Sequence, residues 1–100
     1  MDNHKVIWSA RSLKDLDRTH DLLVEKSLKA ANQTVESVLE RVTQLEQFPE
    51  SGPIEPSLAH RKKAHRYLVS GYHKIVYRIE KKQILIVRVF DTRQNPEKLK

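Results

Sequence analysis

The apolar period of this chain changes near residue 49. Upstream, apolar residues recur at steps of three and four; downstream of Pro56 come three short, β-prone runs. Steps of three and four mark one face of a helix, and short runs of branched and aromatic residues mark strands. The chain therefore divides into a helical front and a β-rich back. Between them lies "PESGPIEP", Pro49 to Pro56, which holds three of the four prolines and one of the two glycines. It reads as an irregular loop inside a single domain, residues 1–100, because neither side could build a core alone.

The front opens with "KVIW", Lys5 to Trp8, an expected edge strand. Ser9 or Ser12 is suited to cap the helix that follows, and "SLKD", Ser12 to Asp15, resembles a capping box with Asp in the place of Glu. Leu13, Leu16, His20, Leu23, Val24, Ser27 and Leu28 form one stripe of a helix spanning roughly 10–30. Val35, Val38, Leu39, Val42 and Leu45 form the stripe of a second, roughly 33–47. Asn32 or Thr34 caps it and Pro49 stops it. A link near Asn32 is short, so the two helices are expected to form an antiparallel hairpin.

The back reads as strands at roughly 64–70, 73–80 and 84–91, with Gly71 bending the chain between the first two. The predicted fold class is α+β: an N-terminal strand, a helical hairpin, then three antiparallel strands forming a small sheet.

Arg88 lies in the middle of the apolar "ILIVRVFD". An unpaired buried charge costs several kcal/mol or more, so Arg88 must be paired or must face water. A three-residue turn, Lys81 to Gln83, would pair Ile79 with Leu85, Tyr77 with Val87 and Ile75 with Val89. That face is wholly apolar and suits the helices. Lys74, Arg78 and Arg88 then share the opposite face. A two-residue turn would set Arg88 opposite Ile75 on the core face. The expectation is therefore the odd-numbered turn, with Arg88 on the uncovered side.

Charge carries the functional signal. The 100 residues have a net charge of +6, but residues 1–57 have a net of −3 and residues 58–100 a net of +9. Such a basic field attracts polyanions or acidic proteins. With no cysteine there is no disulfide framework and no thiolate metal site. No apolar run approaches membrane-spanning length and the N-terminus lacks an apolar signal region, so no membrane association and a cytoplasmic location are expected. The histidines His4, His20, His60, His65 and His73 lack the spacing of a helical zinc pair. Neither a metal nor a cofactor is expected. Candidate binding residues are Lys74, Arg78, Arg88, Phe90 and Arg93, with Tyr72 and Tyr77 interleaved. Cations clamp phosphates and aromatics stack on bases. The structural alternative makes Tyr77 core and pairs the arginines with Asp91, Glu80 or Glu97.

The element order, together with "IVYRI" and "ILIVRVFDTR" in the last hairpin, resembles the RelE/ParE superfamily, the toxin halves of bacterial type II toxin–antitoxin modules. The resemblance spans almost the whole chain. It implies a cytoplasmic toxin that arrests growth, stabilises plasmids and is neutralised by a cognate antitoxin protein. RelE-like members cut messenger RNA on the ribosome with basic sheet residues. On that reading Lys74, Arg78 and Arg93 are the catalytic candidates. The "QNPEKLK" after Arg93, however, holds neither the Tyr nor the His that assists in such enzymes. ParE-like members bind and inhibit DNA gyrase without a recognised catalytic set, and "YRI" with "VRV" resembles them better. The resemblance thus implies a gyrase inhibitor, with a RelE-like ribonuclease as the alternative. A basic binding module without toxicity is the third reading.

Overall fold

The computed structural model describes residues 3–93. Strand β1 (Lys5–Trp8) leads into helix α1 (Ala10–Val24) and helix α2 (Leu28–Thr43). A 3-10 turn (Gln44–Glu46) and a second (Pro56–Leu58) precede strands β2 (Arg66–Ser70), β3 (His73–Glu80) and β4 (Gln83–Asp91). The four strands form one sheet in the order β1-β4-β3-β2. The last three are antiparallel to their neighbours, while β1 runs parallel to β4. This is the expected α+β architecture, closed by one parallel edge strand.

Ser9 is the cap of α1: its side chain accepts from the Ser12 amide, which satisfies one of the helix's orphan donors. The break between the helices comes earlier than the apolar stripe indicates. It falls at residues 25–27, not near Asn32, because the Ser27 side chain accepts from the Ala30 amide and caps α2. Steps of three and four continue across so short a break, so periodicity alone could not reveal it. Asn32 and Thr34 lie inside α2.

The helices cover one face of the sheet. Leu16, Val38, Val42 and Leu45 pack there on Leu68, Ile75, Tyr77, Ile84, Ile86 and Val89. Each buried side chain of this size stabilises the fold by about 1.5–3 kcal/mol. Tyr77 is core, fully buried, and its hydroxyl is satisfied. It donates to the Pro49 carbonyl at 2.7 Å and accepts from the Gly52 amide at 3.0 Å. Gly52 has no room for a side chain, since an added Cβ would strike the Tyr67 carbonyl oxygen and lie 2.8 Å from the Tyr77 Oη. The proline-rich loop is thus pinned to the sheet by one buried phenol.

The hairpin register differs from the three-residue expectation. The turn has two residues, Lys81 and Lys82, with Lys81 in the left-handed region at φ 55°. Ile79 pairs with Ile84 and Tyr77 with Ile86, not with Leu85 and Val87. A register shift between Val76 and Tyr77 then leaves Val87 as an extra residue, and Ile75 pairs with Val89 as expected. The bulge explains the failure. It absorbs one residue, so a two-residue turn places Ile84 and Ile86 in the core without setting Arg88 opposite Ile75. Arg88 pairs across with Val76 instead.

The second sheet face is not bare. Leu58 of the Pro56–Leu58 turn packs on Val76, with Val87 and Phe90 beside it. Among the described residues, no helix is long and apolar enough to cross a membrane.

Candidate functional site

The expected cationic cluster separates into four settings. Lys74 is neutralised. Its ammonium lies 2.6 Å from Glu55, a carboxylate only 2% exposed, and 4.3 Å from the centre of the Tyr67 ring. Burial alone would raise the Glu55 pKa. The Lys74 contact and the Ser57 amide and hydroxyl outweigh that and bring it below the ordinary value. Phe90 is the cross-strand neighbour of Lys74 and packs toward Leu58 and Val76.

Arg93 lines a groove between α1 and β4 together with Arg88 and Phe90, and lies away from Lys74 and Arg78. It grips Asp91 through Nη2 at 2.6 Å and covers the Tyr72 ring at 4.4 Å. The Arg93 side-chain bond is the main reason the Asp91 pKa falls to about 2. The stretch that follows Arg93 lies outside the described residues.

Arg88 does not stand as an exposed cation on an uncovered face. Its Nε donates to the Asp15 carboxylate at 2.8 Å, and the two side chains are 16% and 15% exposed. The physical reason is the short β1. Its pairing with β4 ends at Trp8 and Ile86, so beyond that point β4 offers unpaired backbone toward α1. The Ser9 hydroxyl takes the Val87 carbonyl, and Asp15 takes the Val89 amide at 2.9 Å. Asp15, read in the sequence as part of a capping box, thus closes the sheet edge and anchors Arg88.

Arg78 and Arg88 do come together. Both line a hollow of about 260 Å³ between the sheet and the segment before β2, and that segment adds Arg61, Lys62 and Lys63. Leu58 and Val87 form its apolar part, and His65 enters from the start of β2. Arg78 and Lys63 share one carboxylate, Glu80, at 2.9 and 2.5 Å. Arg61 and Lys62 make no ion pair among the described residues. His65 is 7% exposed, and its Nδ1 donates to the Lys63 carbonyl at 3.0 Å. Its pKa lies below the ordinary value, first because of burial and then because of the nearby Arg78 and Arg61, against the Lys63 bond. The imidazole is therefore neutral at pH 7, with Nε2 free to accept.

Arg61, Lys62, Lys63 and His65 were not among the candidates from sequence. The signal was "RKK" directly before a strand, which counts as mere loop charge unless the loop folds back onto the sheet. Among the described residues, no group of three His, Asp or Glu side chains could hold a metal ion.

A family model described as the ParE toxin of the type II toxin–antitoxin system parDE matches residues 6–96. The chain belongs to the ParE toxin family. A solved structure titled as the chromosomal ParDE system from P. aeruginosa superimposes with a TM-score of 0.74 at 23% identity, covering 88% of this chain and 95% of that one. The toxin–antitoxin complex RelBE2 from Mycobacterium tuberculosis gives a TM-score of 0.62 at 18% identity, covering 89% and 98%. A search of curated proteins gave no match. The chain is thus the toxin of a type II toxin–antitoxin system, on a fold shared with ParDE and RelBE toxins.

Proposed function

We propose that this ParE-family toxin inhibits DNA gyrase by binding, and that a cognate antitoxin neutralises it. The observation that carries the reading is the ParE family match over residues 6–96. The settings of the sheet cations support it. Lys74, a catalytic candidate on the ribonuclease reading, is spent on buried Glu55, and Arg93 lies away from the hollow that Arg78 lines. A cytoplasmic site of action and a plasmid-stabilising role belong to the same proposal.

An antitoxin segment fits the surface as an amphipathic or extended chain. Leu13, Leu22, Val24 and Leu28 are exposed on the helical hairpin. A groove of about 720 Å³ runs between α1 and β4 and is bordered by Arg11, Lys14, Arg18 and Arg93. Apolar side chains would cover the first group and carboxylates the second. Steering by charge makes the association rate fall as salt rises.

The test is induction of the toxin without its antitoxin, with a supercoiling assay on purified gyrase alongside. Filamentation with a DNA-damage response and loss of supercoiling are expected. Abrupt arrest of translation with cuts in ribosome-bound message, and gyrase left active, would overturn the reading in favour of RelE-like chemistry. One observation favours that second reading. His65 sets a neutral imidazole among cations, the arrangement that a general base beside a phosphate needs.

A further inference from the structure

We propose that the hollow lined by Arg61, Lys62, Lys63, Arg78 and Arg88 is a binding site for the phosphodiester backbone of a nucleic acid. This goes beyond protein–protein inhibition of gyrase and does not depend on it, because the site is built from this chain's own residues.

Charge imbalance is the first argument. Five cationic side chains line the hollow, and among the described residues Glu80 is shared by Arg78 and Lys63 while Asp15 holds Arg88. Arg61 and Lys62 meet no carboxylate among the described residues, and Arg78 and Lys63 have one between them, so positive charge is in excess within about 260 Å³. Concentrated like charge raises the energy of the folded chain unless an anion answers it.

The cations are also held in place. Glu55 accepts from the Ser57 amide and hydroxyl and pairs with Lys74, which fastens the Pro56–Leu58 turn to the sheet. Leu58 seats that turn on Val76. The bond from His65 Nδ1 to the Lys63 carbonyl ties the end of the basic run to the start of β2. Asp15 aims Arg88 from the far side. A preorganised set of donors loses little freedom when it takes up a ligand.

The form of the hollow selects among anions. A helix with side chains is about 10–12 Å across and is too wide to enter. A thin chain with a charge at every residue suits it, and a nucleic acid has that pattern without requiring a run of Asp and Glu. Arginine forks match phosphate oxygens in pairs. Leu58 and Val87 offer apolar contact to a sugar or base, and neutral His65 supplies an acceptor for a hydroxyl or base N–H.

The experiment is fluorescence anisotropy of the purified chain with labelled 12-nucleotide single-stranded RNA, single-stranded DNA and duplex DNA of one sequence, over a salt series. The double variant Arg61→Ser/Lys62→Ser removes two cations that no described carboxylate holds. It is expected to weaken binding at least tenfold and to flatten the salt dependence by roughly 1.4–1.8 in log–log slope. Lys26→Ser/Lys29→Ser, with the same charge loss at the helix link, should change affinity less than twofold. The His65 ring proton signals should shift on oligonucleotide addition, while those of His20, on the helical hairpin, stay still. The ranking of the three oligonucleotides tells a DNA source of the phosphodiester from an RNA one. Equal losses in both double variants would overturn the site, as would an unmoved His65. So would failure to bind any oligonucleotide while a polyglutamate peptide binds and shifts His65, which would make the hollow a protein contact. Gyrase inhibition is read separately, so a toxin that stops gyrase and ignores oligonucleotides sinks this inference alone.

Discussion

Asp15 Oδ2 accepts from Arg88 Nε at 2.8 Å across a sequence separation of 73 residues, and the same oxygen accepts from the Val89 amide at 2.9 Å. One carboxylate therefore joins α1 to the part of β4 that β1 leaves unpaired. Arg88 is held by the fold before it can serve any partner.

Arg88→Ala should accordingly lower stability. The variant leaves Asp15 with a charge that is only 15% exposed and a weaker set of donors. The expected loss is roughly 2–4 kcal/mol. Asp15→Asn should cost less than Arg88→Ala, because the amide oxygen still accepts from the Val89 amide. Urea unfolding of both variants checks the order. Wild-type stability in Arg88→Ala would mean that the pair is mere surface charge.

Gly52→Ala should be among the most damaging single-methyl changes in the chain. The added carbon meets the Tyr67 backbone oxygen, which cannot swing aside as a flexible side chain would. Tyr77→Phe removes the phenol that holds Gly52 and Pro49. Its expected cost is about 1–3 kcal/mol, because a buried amide and carbonyl lose their partner. A melting curve for each variant decides the matter; an unchanged midpoint for Gly52→Ala would show that the loop is not tightly seated.

Acidification should weaken the fold in a window set by two histidines. His65 and His73 both have pKa values below the ordinary histidine range, each chiefly through burial. Near His73, Asp91 opposes the shift and Arg93 adds to it. The unfolded chain therefore takes up protons first. Stability is full above about pH 6.5 and declines as pH falls through the lowered folded-state values. Replacing each histidine with glutamine should flatten the slope of unfolding free energy below about pH 6.5. The Asp91–Arg93 pair acts in a different window. The Asp91 pKa of about 2 keeps its contribution present above the ordinary carboxylate range and removes it as pH drops toward 2.

Lys74→Ala should destabilise more than Arg93→Ala. The first strands Glu55, a carboxylate 2% exposed, whereas the second frees a pair whose arginine is 62% exposed. Exposed pairs contribute about 0–1 kcal/mol, while breaking a buried one costs about 3–5 kcal/mol. Glu55→Gln together with Lys74→Met should recover much of the loss. Equal melting points for Lys74→Ala and Arg93→Ala would contradict the assignment.

Sequence alone determined the kinds of element and their order. The apolar period of the helices and the β-prone runs after Pro56 are local properties, so they survive without knowledge of the packing. Tyr77 as core was legible for the same reason, whereas Ile75 meets Val89 as expected only because the bulge makes up for the shorter turn. Only the tertiary structure decided the helix break, since Ser27 caps α2 where the stripe runs on unbroken. It also decided the register. A two-residue turn followed by a bulge at Val87 satisfies the same apolar face as a three-residue turn does, and charge counting cannot separate them. The partners of the cations were hidden most deeply. Asp15 reaches Arg88 only because β1 stops at Trp8, and Arg61 to Lys63 join Arg78 only because Glu55, Leu58 and Tyr77 fold their loop onto the sheet. A side chain's charge is written in the sequence, but which charge answers it depends on distances that appear only when segments far apart in the chain are packed together.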